Sequence, residues 1–291
     1  MSRIAYVNGR YLAHRDACVH IEDRGYQFAD GVYEVVYVSR GWLVDEARHL
    51  ERLERSLNEL EIAMPMARGP LSVIMGQVVA KNRVRDGIVY IQVTRGVAPR
   101  DHAFPDKVRP ALVVTARRMA GPSAQAMEEG VRVISVPDQR WPRCDIKSVS
   151  LLPNVLAKQA AREAGAFEAW QMDGEGNVTE GSSTNAWIID AEGRLRTRQL
   201  SRAILPGITR AAVMDLLTEA GVEALEAPFG LDEAKAAREA FLTSTTSFVL
   251  PVVQIDDAVV GDGKPGPLSR RLGSLYTRHV AGGETLVEAA E

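Results

Sequence analysis

At 291 residues, with 46% hydrophobic and 25% charged side chains, the chain has the composition of a globular protein, and its length suggests two domains. A net charge of −3 with both signs interspersed excludes the basic footprint of a nucleic-acid binder, and no apolar run nears the ~20 residues that cross a bilayer. Two distant cysteines, Cys18 and Cys144, argue against a disulfide framework and fit a reducing compartment; the opening MSRIAYVNGR has no long apolar core, so the expected location is the cytoplasm.

Taken along the chain, RIAYVNGRYL places Asn8-Gly9 between two short apolar runs, the signature of a tight hairpin. GVYEVVYVSRGWLV reads as a second hairpin, with Tyr33, Val35 and Tyr37 on one strand face. In EARHLERLERSLNEL, Leu50, Leu53, Leu57 and Leu60 recur at helical spacing, and Arg52 lies off that stripe, on what reads as a solvated face. GPLSVIMGQVVAKN carries a similar stripe of Leu71, Ile74, Met75, Val78 and Val79, and IVYIQVTRG and PALVVTARR read as strands. Ala120 to Gly130, small and polar, reads as an interdomain linker. The expected domains are therefore 1–119 and 131–291, joined by 120–130.

Beyond the linker, VRVISV is a strand and PNVLAKQAAREAG a helix with Pro153 near its start and Gly165 at its end. FEAWQMD and NAWIID read as strands flanking the loop GEGNVTEGSST. GITRAAVMDLLTEAG is a helix closed by glycine, EAFLTS and VLPVVQI are strands, and GPLSRRLGSLYTRHV is a late helix. Strand pairs outnumber regular strand–helix alternation, so the expected class is α+β, two domains with mixed sheets rather than one doubly wound sheet.

Several chemical motifs fail on context. GDGKPG has the letters of a dinucleotide fingerprint but contains a proline and is followed by no βαβ unit. The five histidines form no metal-spaced pair with cysteine or with one another, and no nucleophile elbow is present. What stands out is Lys147 in RCDIKSVSLLPNVLAKQAA, with Ile146, Val149, Leu151 and Leu152 around it. It is either a surface lysine at a strand edge or a Schiff-base lysine, whose amine an apolar setting frees to attack a carbonyl. Pyridoxal phosphate, the usual carbonyl, needs partners for its phosphate, its ring nitrogen and the substrate carboxylate.

Six strings together supply candidates: EDRGYQFADGVYEVV, YIQVTRGVAPRDHAFP, RCDIKSVSLLPNVLAKQ, VTEGSSTNAW, LPGITR and LTSTTSFVLPV. In order and over nearly the whole chain, they resemble the fold-type IV pyridoxal-phosphate aminotransferases. The resemblance implies a cofactor site between two domains, with pyridoxal 5′-phosphate attached to Lys147, which also shuttles the proton at the substrate α-carbon. It implies Glu180 opposite the pyridine nitrogen, and a phosphate held by Arg52, Ile208, Thr209, Ser244 and Thr245. Leu205 would pack on the ring. Taken alone, Glu180 is also a polar loop residue, Thr209 a helix cap, and Leu205 a core leucine.

On the substrate side, APRDHAFP puts Arg100 and His102 two apart, so in an extended stretch both point one way. An arginine fork suits a carboxylate, although such a string also fits a charged surface loop. In the D-amino-acid branch of the family this pair, with the tyrosine matching Tyr33, traps the α-carboxylate, and it reaches the site across a dimer interface. The resemblance thus implies a homodimer that transaminates D-amino acids such as D-alanine with 2-oxo acids such as 2-oxoglutarate. An L-branched-chain aminotransferase or an aminodeoxychorismate-lyase-like enzyme of the same fold is the alternative, although these generally lack the Arg-x-His pair.

Overall fold

The computed structural model describes residues 3–282. The chain folds into two compact units: residues up to Ala120 together with Ile146–Leu151, and Gly121–Asp145 together with the residues from Leu152 onward. Of the expected linker, Ala120 falls in the first unit and residues 121–130 in the second. Residues Ala124–Glu129 form a helix there, Ser123 caps it by accepting a hydrogen bond from the Ala126 N–H, and Met127 packs on that unit's core. The small, polar composition that suggested a linker is equally that of a capped helix of Ala, Gln, Met and Glu. The ends of the expected domains, residues 1–2 and 283–291, lie outside the described residues.

In the first unit the elements are β1 (Ile4–Val7), β2 (Arg10–Ala13), α1 (Arg24–Phe28), β3 (Gly31–Ser39), β4 (Trp42–Leu43), α2 (Glu46–Glu59), α3 (Arg68–Lys81), β5 (Gly87–Thr94) and β6 (Ala111–Arg118). Its six-stranded sheet runs β2-β1-β6-β5-β3-β4 and is antiparallel throughout. Asn8 and Gly9, with φ of 46° and 93°, close the first hairpin with Val7 opposite Arg10. Along β3 the period of two sends Val32, Val36 and Val38 into the core, where they meet Leu50, Leu53 and Leu57 of α2. Each leucine buried there contributes about 1.5–3 kcal/mol. Tyr33, Val35 and Tyr37 take the opposite face.

The second unit holds α4 (Ala124–Glu129), β7 (Val131–Pro137), α5 (Leu152–Glu163), β8 (Glu168–Met172), β9 (Val178–Gly181), β10 (Asn185–Ile189), β11 (Leu195–Thr197), α6 (Ile208–Glu219), β12 (Ala224–Glu226), α7 (Leu231–Lys235), β13 (Glu239–Ser244), β14 (Phe248–Ile255), β15 (Ala258–Val259) and α8 (Pro267–Val280). The sheet is mixed, ordered β12-β11-β10-β13-β14-β7-β8-β9 with β15 on β14, and parallel at β12–β11, β14–β7 and β7–β8. Ala157 and Ala161 of α5 pack on Ala169, and such small side chains let helix and sheet approach closely. On one sheet face Ala240, Leu242, Leu250 and Val252 pack with Met127 and Leu231. On the other, Trp187 stacks on Phe241 at 5.4 Å, and α6 and α8 lie against β13. Strand β9, which carries Glu180, occupies what the sequence suggested was loop.

Candidate active site

Lys147 sits on a short extended stretch that pairs with the free edge of β3. The Tyr33 N–H donates to the Lys147 carbonyl at 2.9 Å, the Val149 N–H donates to the Gly31 carbonyl at 3.0 Å, and Ser148 bridges Val32. This pairing is why Ile146–Leu151 belong to the first unit, with Ile146 buried in its core. Lys147 is half-buried, and its Nζ lies 4.2 Å from the Tyr33 ring centroid. Among the described residues no carboxylate ion-pairs with it. Tyr33 in turn stacks on Tyr90 at 5.7 Å. The edge-strand reading of the lysine is therefore correct about its backbone, while its amine lies over an aromatic ring rather than in an ion pair.

Arg52 is buried, not on a solvated face. His49, Arg52 and Ser56, spaced i, i+3 and i+7, form a polar stripe beside the leucines of α2. His49 and Arg52 meet Glu34, which is on the core face of β3 because it shares the parity of Val32 and Val36, while the Ser56 hydroxyl accepts from the Lys147 N–H at 3.3 Å. Arg52 Nε donates to Glu34 Oε1 at 2.7 Å and Nη2 to Oε2 at 2.9 Å, and His49 Nδ1 lies 2.7 Å from Oε2. Burial pushes the Glu34 carboxyl up, but the charge of Arg52 and the hydrogen bonds from His49 and Arg52 outweigh it and hold the group well below the usual carboxylate range. Burial lowers the His49 pKa despite Glu34, with Arg52 and Lys147 adding to the effect, so the imidazole is neutral at pH 7 and donates from Nδ1. Glu34 and His49 escaped sequence analysis, although an acid at an inward position of a valine-rich strand was a readable signal.

Arg100 and His102 lie in an exposed loop rather than a strand, yet the structure brings them together. The Arg100 guanidinium carbon is 5.1 Å from the Phe28 ring centroid, and the His102 ring is 5.4 Å from the same ring.

In the second unit, Glu180 on β9 is buried and fully engaged. It accepts from the Leu205 N–H at 3.1 Å to each oxygen, from Asn185 Nδ2 at 2.9 Å and from Arg140 Nη1. Arg140 also donates to Asp138 through Nε at 2.9 Å and Nη2 at 2.6 Å. Burial raises the Glu180 pKa to about 7 even though Arg140 and the Leu205 N–H work against it, with Asp138 adding repulsion. Arg140, Asp138 and Asn185 are further residues that the motif strings did not single out.

The expected phosphate group divides. Ile208 and Thr209 open α6, whose N-cap, Gly207, offers no side-chain hydrogen bond, so the first-turn N–H groups face no competing cap from their own chain. The Thr209 hydroxyl lies 3.2 Å from the Tyr276 hydroxyl. Gly207 is required: a Cβ there would lie 2.1 Å from Asn185 Oδ1. Asn185 pairs with Thr243 across the sheet, which places Ser244, at the end of β13, beside the same region, and Thr245 follows in the turn. Leu205 is half-buried. Arg52 belongs to the first unit and is held by Glu34 there.

Residues 31–255 match the family model for amino-transferase class IV. A D-alanine aminotransferase from Listeria innocua is 40% identical over 276 residues, covering 94% of this chain and 95% of that protein. One from Bacillus licheniformis is 41% identical over 265 residues, 91% and 93% of the two chains. Among solved structures, a branched-chain amino acid aminotransferase of T.th. with pyridoxamine 5′-phosphate superposes with a TM-score of 0.89 at 25% identity, covering 98% of this chain and 96% of that one. The chain belongs to the class IV aminotransferases, enzymes of the fold-type IV architecture that work with pyridoxal 5′-phosphate.

Proposed function

We propose that this chain moves the amino group of D-amino acids, D-alanine among them, to a 2-oxo acid such as 2-oxoglutarate, with Lys147 as cofactor attachment point and proton carrier. The residues present fit the cofactor. Glu180 is a buried acceptor held up at about 7 by burial, so a further positive charge would favour its ionised form; the start of α6 offers N–H groups to a phosphate, and among the described residues the Lys147 amine is in no carboxylate pair. When bound, pyridoxal 5′-phosphate supplies an electrophilic carbonyl and a ring that accepts the electron pair left when the substrate loses its α-proton.

Around that chemistry the side chains divide the work. Lys147 takes the α-proton and returns it, as base and then acid. Glu180 holds the proton on the ring nitrogen, and Asn185 and the Leu205 N–H fix its orientation. Ile208, Thr209, Ser244, Thr245 and Arg52 serve the phosphate of the same cofactor, and the Leu205 side chain packs on its ring. Glu34 orients Arg52, and His49 holds the same carboxylate. Tyr33, Arg100 and His102 take the substrate α-carboxylate.

The observation that carries the D-amino-acid reading is the gathering of Arg100 and His102 on one ring in a chain 40% identical to D-alanine aminotransferases. A homodimer is part of this reading. Ile21, Tyr26 and Phe104, at 77%, 76% and 56% exposure on the first unit, are apolar surface suited to a second copy. Two free cysteines support a cytoplasmic setting, and among the described residues no helix is long and apolar enough to cross a membrane.

The test follows the visible absorbance of the loaded enzyme as D-alanine and then L-alanine is added, with pyruvate release in the presence of 2-oxoglutarate. A response to the D-isomer is expected, and turnover of the L-isomer in preference would move the chain to the branched-chain reading. Sedimentation at micromolar concentration tests the dimer, and a monomer would remove it.

A further inference from the structure

Beneath the loop that carries Arg100 and His102, two buried guanidinium groups share one carboxylate. Arg24 Nε and Arg95 Nε both donate to Asp30 Oδ2 at 2.7 Å. What remains of Arg24 goes to main chain: Nη1 donates to the Asp101 carbonyl at 2.5 Å and Nη2 to the His102 carbonyl at 3.4 Å. Its guanidinium carbon also lies 4.8 Å from the Phe28 ring centroid, the ring that Arg100 and His102 approach. Arg24 is 3% exposed, whereas Arg100 and His102 are exposed.

An arginine that presents its planar fork to two successive carbonyls fixes a loop by its backbone and leaves the loop's own side chains uncommitted. We propose that Arg24, oriented by Asp30 and acting with Phe28, is a positioning residue for substrate recognition, setting Arg100 and His102 in place before the α-carboxylate arrives. The proposal rests on the carboxylate reading of Arg100 and His102. Order that exists before binding need not be created on binding, so the device lowers KM rather than raising kcat. A lysine at position 24 carries all its donors on one nitrogen and cannot span Asp30 and both carbonyls as the three guanidinium nitrogens do.

The test is a mutant cycle on the loaded enzyme with D-alanine. Arg24→Gln should raise KM about 10-fold with kcat within about twofold, and Arg24→Lys should not rescue it. In an Arg100→Ala/His102→Ala background, adding Arg24→Gln should change KM by less than about twofold, because nothing remains to be positioned. Phe28→Leu should reproduce the KM effect and its disappearance in that background, and it carries the test if Arg24→Gln does not fold. A KM effect that persists undiminished in the background, or a loss confined to kcat, would overturn the positioning role while leaving the carboxylate reading intact. An Arg100→Ala/His102→Ala enzyme with the parent KM would sink the carboxylate reading itself, and the positioning role with it.

Discussion

Glu34 in the first unit and Glu180 in the second are each a carboxylate buried beside an arginine. For both, burial is the largest influence and works against the charge. At Glu34 it loses: Arg52 reaches both oxygens with two nitrogens and His49 adds a third contact. At Glu180 it wins, because Arg140 spends Nε and Nη2 on Asp138 and gives Glu180 one nitrogen. The same pair of residue types thus yields a closed ion pair in one place and a carboxyl titrating at about 7 in the other. How the guanidinium is shared decides between a group that holds structure and a group ready for one more cation. A protonated ring nitrogen is such a cation.

Lys147 belongs to the unit of Glu34 but stands outside its ion pair, so Lys147→Ala should lower kcat roughly 100- to 10,000-fold through lost proton transfer. It should also abolish borohydride-stable cofactor labelling while leaving the unfolding midpoint in urea near that of the parent. Covalent labelling that survives would move the attachment point elsewhere. Glu34→Gln should do the reverse. Leaving Arg52 buried without its carboxylate costs about 3–5 kcal/mol, read from chemical denaturation at neutral pH. The native Glu34 contribution exists above its ordinary pKa of 4.5 and is lost as pH falls below it. A variant as stable as the parent would mean that the ion pair holds nothing.

Glu180 has the opposite sign. Its pKa is raised on folding from 4.5 to about 7, so its contribution to stability is present below 4.5 and lost as pH rises through about 7. Cofactor-free protein should lose roughly 3 kcal/mol across that window, and Glu180→Gln should flatten the slope. Denaturant melts at both ends of the window check this, and equal slopes in parent and variant would remove Glu180 from the account. In single turnover, the same variant should slow α-proton removal more than it weakens binding. The smallest effect belongs to the exposed loop. Arg100→Ala should reduce kcat/KM roughly 10- to 200-fold, by a similar factor for D-alanine and D-glutamate, and His102→Ala less so. A loss confined to D-glutamate would mean that the pair reads the distal carboxylate.

Local patterns were legible where they are self-contained. The Asn8-Gly9 hairpin, the leucine stripe of α2 and the glycine-limited helix α6 all follow from spacing and turn chemistry. What escaped depends on partners distant in sequence. Ile146–Leu151 join the first unit because the edge of β3 receives them, and no local signal announces that pairing. Arg52 seemed solvated because a leucine stripe defines only one edge of a buried face, and Glu34 supplies the reason for the other. Arg140 and Arg24 were unremarkable arginines until Glu180 and the Asp101–His102 carbonyls were brought to them. The proposed cofactor residues rest on resemblance to a family, since nothing in periodicity separates a threonine that caps a helix from one that holds a phosphate.

The most direct test of the central claim is a carbon-13 NMR titration of the Glu180 carboxyl, assigned with Glu180→Gln, before and after loading with pyridoxal 5′-phosphate. A midpoint at about 7 is expected in the cofactor-free protein, falling well below that once a protonated ring nitrogen stabilises the carboxylate. A midpoint at the ordinary 4.5 before loading, or one that does not move on loading, would contradict it.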